Sequence, residues 1–385
     1  MFFYTEQPAA SPNHLPFLYR PNPADSLRYN ALVKDVRKLV KKTRNEYYTN
    51  ALTECHGDKK KQFKLFDKML GKNDKKLLPE YDDKQNLCEE FQNFFCEKIE
   101  RIRDEISVNQ STDSKQFEYT HAPMSGNLLD SFTPLTDDLA NDTIQSLPNK
   151  YCCLDVIPTD IFKKCIPYLL PYLKFIINKS LETGIFPSKY KDTIVKPLIK
   201  QSTIDKELHG NYRPLSNLCF ISKVIERSVL NQLVEHLEGN HLFGEFQSAY
   251  RKFHSCETAI TKITNDVFLS LDNKECSFIL FLDLSSAFDT IDRDILLSLL
   301  KDKYGIAGLA LKWIESYLTN RNCFVNIDEC FSSGFVLFFG VPQGSILGPI
   351  LFILYISEIE NIAKWYGFKI HIYTFPFKGV IYYQL

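Results

Sequence analysis

FLDLSSAFDTID, running from Phe281 to Asp292, holds the residues on which the reading of this chain turns. An apolar run from Phe278 to Leu282 leads into Asp283, and a second aspartate, Asp289, follows Phe288. The pattern predicts a strand that buries its sides and ends on a lone carboxylate, presented to something positive. Ala287 is small where Asp283 needs room, and Phe288 sets a rigid ring about one helical turn away. Asp289 and Asp292 follow in the same turn. The plainer alternative is an aspartate that caps the next turn. Strand-borne carboxylates also hold Mg²⁺ in nucleotidyl transfer. That ion prefers hard oxygen ligands and keeps several waters, so one or two aspartates suffice. A ring beside the sugar would then exclude a 2′-hydroxyl.

Downstream lies GVPQGSILGPILFILYI, Gly340 to Ile356. It reads as a Gly/Pro turn before a helix that is apolar on all sides, hence buried. Gly340 and Gly344 would let backbone approach a ligand closely, with Gln343 as donor and acceptor between them. The longer run from Phe335 to Ile356 is long enough for a membrane span. Its glycines and prolines split it instead into strand, turn and helix. Basic residues stand among Gly, Pro and aromatics elsewhere: Lys196 and Lys200, Arg213 in NYRPLSN, and Arg251 and Lys252 in FQSAYRKFHSCETAI. Singly each is a surface cation; together they could clamp a triphosphate, because arginine offers phosphate a planar fork.

The 385 residues allow two or three domains. At 44% apolar and 24% charged the composition is globular, and a net charge of −1 gives no sign of a polyanionic partner. The charge is unevenly placed. Arg28 to Lys76 has 15 Lys/Arg against 6 Asp/Glu, whereas Leu77 to Asp142 has 15 acids against 5 bases. Such a pair of blocks can mean a nucleic-acid arm beside a solvated neighbour, or simply two solvated helical faces. Eleven scattered cysteines lack zinc-site spacing and read as reduced thiols of an intracellular protein, nuclear or cytoplasmic. The first residues lack the basic start and apolar core of a secretion signal.

Residues 1–24 read as a disordered lead, 25–108 as a helical connector, basic then acidic, and 109–140 as a linker. Within the connector, KKKQFKLFDKML ends at Gly71, a plausible helix stop, and Asn86 to Ile106 forms an acidic helix. From 141 onward, helices are expected at Cys165–Thr183, Lys223–Leu237, Ser255–Leu271, 292–303 and 308–319. Strands are expected at 193–200, Ser277–Leu284, 323–327 and 334–340. Long helices with mostly separate short strands indicate α+β.

In their order and spacing NYRPLSNLCFISKVIER, FQSAYRKFHSCETAI, FLDLSSAFDTID and GVPQGSILGPILFILYI resemble the reverse transcriptases of non-LTR retrotransposons, the jockey-like LINE group. The stretch from Leu154 to Lys200 resembles that group's approach to the fingers, and 28–76 its connector. The resemblance implies right-hand polymerase fingers and palm over 141–385, copying RNA into DNA with two Mg²⁺. RNA template, DNA primer and deoxynucleoside triphosphates are the implied partners, without a membrane. Asp283 would be the catalytic, metal-binding carboxylate, with Leu284 lending a backbone carbonyl. Phe288 would be the sugar gate. Lys200, Arg213 and Arg251 would touch the triphosphate, and Gln343 its sugar or base edge.

The family's next motif is a hairpin reading Tyr-Ala-Asp-Asp. Here Tyr373 fits the tyrosine after KIHIY, with Gly379–Tyr383 as the second strand. Thr374, Phe375 and Pro376 stand at the Ala-Asp-Asp positions, and Asn361 to Leu385 contains no acid at all. Glu358 and Glu360, upstream, are not expected to reach. The chain is therefore expected to be a truncated, thumbless copy with impaired metal binding and no polymerase activity. A catalytically dead RNA-binding remnant is the alternative.

Overall fold

A computed structural model describes residues 23–55, 62, 65–66, 78–113, 127–150, 152–201, 203–284, 286–373 and 378–384. At 23–26, 109–113, 283, 373 and 378–384 it describes backbone only. Two compact units divide between Lys76 and Leu77. The first contributes α1 (Pro23–Glu54), a helix whose Leu32, Val36 and Leu39 stand exposed among lysines and arginines. Residues 1–22 of the expected lead fall outside the described residues, as does most of the second basic helix ending at Gly71, while Pro23 and Ala24 begin α1.

The second unit begins with α2 (Lys84–Asp113). Leu87, Phe91 and Phe95 recur at helical spacing and must bury one stripe. They pack on Val195, Tyr212, Cys323 and Val325 to form a small core. The division expected at residue 108 therefore marks no break: the helix runs through it, and its apolar stripe ties it to the remainder of the second unit. Likewise α3 (Asp137–Ser146) starts inside the expected linker and buries Ala140 and Ile144.

After α3 come α4 (Thr159–Lys164) and α5 (Ile166–Thr183). Gly184 ends α5 in the left-handed region at φ 64°, and its N–H donates back to the Ser180 carbonyl. Then β1 (Thr193–Ile199), β2 (Tyr212–Leu218) and α6 (Phe220–Gly239) follow. In α7 (Cys256–Asp272) Ser255 and Thr258 cap reciprocally. Next are β3 (Ser277–Asp283), α8 (Arg293–Asp302), α9 (Gly308–Leu318), β4 (Arg321–Ile327), β5 (Cys330–Phe331) and β6 (Phe335–Leu337). The described chain closes with α10 (Gly348–Tyr355), α11 (Glu358–Trp365), β7 (Lys369–Tyr373) and β8 (Lys378–Gln384).

Two sheets result. β1 pairs antiparallel with β2 and parallel with β4, and β4 also carries β5 and β6. The other sheet runs β3-β8-β7, antiparallel throughout. Helices pack a larger core around Trp313, which stacks on Tyr317 at 5.7 Å and donates from Nε1 to Ser180 Oγ. The expected α+β mixture is what the chain adopts. The hairpin after the buried helix also forms, with Tyr373 opposite Lys378; its tip, 374–377, lies outside the described residues. One expectation fails. The β3 strand, which among the described residues pairs with β8 at one edge of its sheet, does not bury its sides. Phe278 is 65% exposed and Phe281 62%.

Candidate functional site

The backbone of β3 delivers Asp283 to the end of its strand, in register with Lys378. The Asp283 carboxylate itself lies outside what is described. Leu284 comes next and is exposed. The chain then turns through Ser286, at φ 52°, whose carbonyl accepts from Asp289 N at 2.8 Å. This turn is fastened to the Gly/Pro segment. Gly340 N donates to the Ile291 carbonyl at 2.8 Å, and Val341 N to the Phe288 carbonyl at 2.9 Å.

Glycine is required at both places singled out in the sequence, by its backbone conformation and by the close approach of other backbone. Gly340 sits at φ 74°, where a Cβ would fall on the Phe288 carbonyl and Asp289; Gly344 sits at φ 116°, where it would fall on the Ser216 carbonyl. What approaches the glycine backbone in this structure is other backbone of the same chain.

Gln343 joins three segments. Its Nε2 donates to Asp289 Oδ2 at 2.7 Å, and its carbonyl accepts from Ser216 N on β2 at 2.8 Å. Around it a crevice is lined by Phe95, Lys98, Pro214, Ser216, Asp289 and Gln343, among others. Asp289 is half-buried, and burial pushes its pKa up to about 6, against the hydrogen bond from Gln343 and the charge of Lys98. Burial lowers Lys98 in turn, with Asp289 opposing.

Asp292 does different work. Oδ1 caps α8 by accepting from Asp294 N and Ile295 N, and Oδ2 accepts from Arg103 Nη2 at 2.6 Å. Burial would raise its pKa, but Arg103 and the backbone N–H groups hold it below the usual carboxylate range. The Phe288 ring packs on Phe352 of α10, centroids 5.0 Å apart.

The predicted cations separate. Leu198 pairs with Arg213 across the β1–β2 ribbon. Side chains alternate faces, so Lys196 and Arg213 share the face opposite the crevice-lining Val195, Pro214 and Ser216. Lys200, just past β1, continues the pairing through its N–H to Asn211, and its Nζ donates to the Gly210 carbonyl at 2.7 Å. Arg251 borders another hollow with His241, Phe243, Lys252, Phe253 and His254, and donates to the Gly244 carbonyl. None of the residues lining that hollow lines the Gln343 crevice. Glu358 is paired with Lys303 and Glu360 with Lys364, so both carboxylates are engaged in ion pairs.

Two residues escaped the sequence reading. Lys98 looked like one more charge on an acidic helix. Glu226, on α6, is fully buried: Oε2 accepts from Ile346 N at 2.6 Å and Leu347 N at 3.2 Å, just ahead of α10. Its signal was an acid in phase with Ser222, Val229 and Leu233, all of which are buried.

Residues 199–375 match the family described as reverse transcriptase (RNA-dependent DNA polymerase). The chain is 25% identical over 348 residues to the probable RNA-directed DNA polymerase from transposon BS of Drosophila melanogaster, covering 88% of this chain and 38% of that protein. It is 28% identical over 229 residues to the RNA-directed DNA polymerase from mobile element jockey of Drosophila funebris, covering 59% and 25%. The chain thus spans well under half the length of these relatives. Apo telomerase from Candida tropicalis, truncated from its C-terminal domain, is 13% identical at a TM-score of 0.36, covering 59% of this chain and 49% of that one. A likeness that slight carries no argument.

Proposed function

We propose that this chain, which carries a reverse transcriptase domain of the non-LTR retrotransposon kind, keeps that family's capacity to hold RNA and nucleotides but has lost efficient nucleotidyl transfer. RNA template, DNA primer and deoxynucleoside triphosphates are the ligands this reading assigns to it. The observation that carries it is the hairpin. Asp283 ends β3 in register with Lys378, and Tyr373 pairs with the same lysine. Thr374, Phe375 and Pro376 come after Tyr373, and no Asp or Glu occurs from Asn361 onward.

The family uses divalent metal ions, and the donor chemistry here does not fit a pair of Mg²⁺. Asp283, with the Leu284 carbonyl, offers one carboxylate. Lys378 is its register partner on β8, and Phe375 and Pro376 hold the positions where the family carries its second acids. Among the described residues, no group of three or more His, Cys, Asp or Glu could hold a metal. Two ions stabilising attacking and leaving oxygens need more carboxylate than this. Two observations support the recognition half of this reading: the Phe288 ring is held against Phe352, and the Gln343 side-chain amide is oriented by its Nε2 hydrogen bond to Asp289. This reading assigns the side-chain Oε1 of Gln343, distinct from the backbone carbonyl that accepts from Ser216 N, as the acceptor for a sugar hydroxyl or a base N–H.

Primer extension on an RNA template tests the loss. No product is expected with Mg²⁺ or Mn²⁺. Extension that disappears in Asp283→Asn would overturn the reading. RNA retention in the same sample, read by anisotropy, distinguishes a binding remnant from a chain that engages no nucleic acid.

A further inference from the structure

We propose that Lys98, on α2 and outside the segment matched to the family, is a phosphate-binding residue of the Gln343 crevice. The inference rests on the reading that this domain engages nucleotides or nucleic acid. Lys98 lines the crevice together with Asp289, Gln343, Pro214 and Ser216. It is half-buried, and among the described residues no acceptor hydrogen-bonds its ammonium and no carboxylate pairs with it within 4 Å. A lysine that only neutralised Asp289 would be expected in contact with it. Instead an Asp289 oxygen accepts from the Gln343 amide, and Lys98 lines the crevice with no hydrogen-bond or ion-pair partner among the described residues.

The charges around Lys98 come from each neighbouring element. The charge of Asp289 acts on it from the turn after β3, that of Lys200 from the end of β1, and that of Arg101 from its own helix. Two further cations and one carboxylate thus act on Lys98, an excess of positive charge that an anion would balance. A partly desolvated ammonium holds a phosphate oxygen more strongly than a surface lysine does, because little water screens it. The group recognised is a phosphate, borne either by a free nucleoside triphosphate or by a nucleic-acid backbone.

The test compares wild type, Lys98→Met, Lys98→Arg and Asp289→Asn. Each is titrated with a deoxynucleoside triphosphate and with inorganic tripolyphosphate by calorimetry, and with a single-stranded RNA by anisotropy; thermal melts report folding. Lys98→Met should weaken the nucleotide and tripolyphosphate about tenfold or more, with Lys98→Arg largely restoring them. Asp289→Asn, which removes the opposing charge, should tighten both. Weakening confined to RNA would assign the phosphate to the backbone. A Lys98→Met protein that melts lower yet binds every ligand as wild type does would make Lys98 a counter-ion only, and the inference would fall. If wild type binds none of the three ligands, the functional reading falls first and takes this inference with it.

Discussion

The Asp289 carboxyl is half-buried beside Gln343 and keeps its proton to about pH 6, whereas the same group in the unfolded chain loses it near pH 4. Between those values the folded state binds the extra proton. Stability from this residue is therefore complete below about pH 4 and is lost as pH rises through about 6. Discounted for partial solvent access, the loss is about 1–2 kcal/mol at neutral pH. Asp289→Asn should recover that amount at pH 7.5 and little at pH 4, read as the difference between two urea midpoints. Equal differences at both pH values would refute the assignment. The opposite sign holds for Asp292, whose contribution is lost only as pH falls through its lowered value. Asp283 and Gln343 could be singled out from their motifs, because a strand-end aspartate and a glycine-flanked amide are local patterns. The partnership of Gln343 with Asp289 could not, since it spans 54 positions.

Helix α10 shows where elements are readable and where they are not. Its all-apolar sequence already indicated burial, and Ile350 to Leu354 are at most 2% exposed. What anchors its start is Glu226 on α6, accepting two backbone N–H groups that have no partner within the helix. Burial raises the Glu226 pKa, and the nearby Arg321 charge with those N–H groups opposes this. Glu226→Ala strands both donors in the core and should lower stability by about 2–4 kcal/mol. Glu226→Gln keeps one acceptor and should cost less. Chemical unfolding measures both. A loss under about 0.5 kcal/mol in the alanine variant would show that water or another group satisfies these donors. The ends of α5 and α7 were legible for the converse reason. Gly184, Ser255 and Thr258 act within a few residues of the helices they terminate.

At the scale of the molecule, α1 stands as a separate unit with a stripe of Lys34, Lys38, Lys41 and Arg44 exposed along it. If this arm binds RNA phosphates, neutralising Lys34, Lys38 and Lys41 to glutamine should flatten the salt dependence of RNA affinity. The expected change in log–log slope is about 0.7 for each phosphate of a single strand that is no longer neutralised. An unchanged slope would show that the arm is only a solvated helix. The β3-β8-β7 sheet poses another whole-molecule problem. Phe278, Leu280 and Phe281 stand exposed on an edge strand whose outer side is unpaired among the described residues, an arrangement that invites association between copies.

Taken by itself, the order of residues determined which segments become helices and strands, where most of them stop, and that the hairpin after α10 has no acid near its tip. Those properties depend on periodicity, caps and composition, all of which act over a few residues. It also carried the family resemblance, because that is a matter of motif order. Tertiary structure decided that α2 is a wall of the crevice, that Lys196 and Arg213 face away from it, and that Arg251 belongs to another hollow. It also turned the two glycines into contacts between backbones. Each of these outcomes depends on pairings tens to hundreds of residues apart. Which pairing wins is settled by register and by the burial of whole faces, quantities that no local stretch contains.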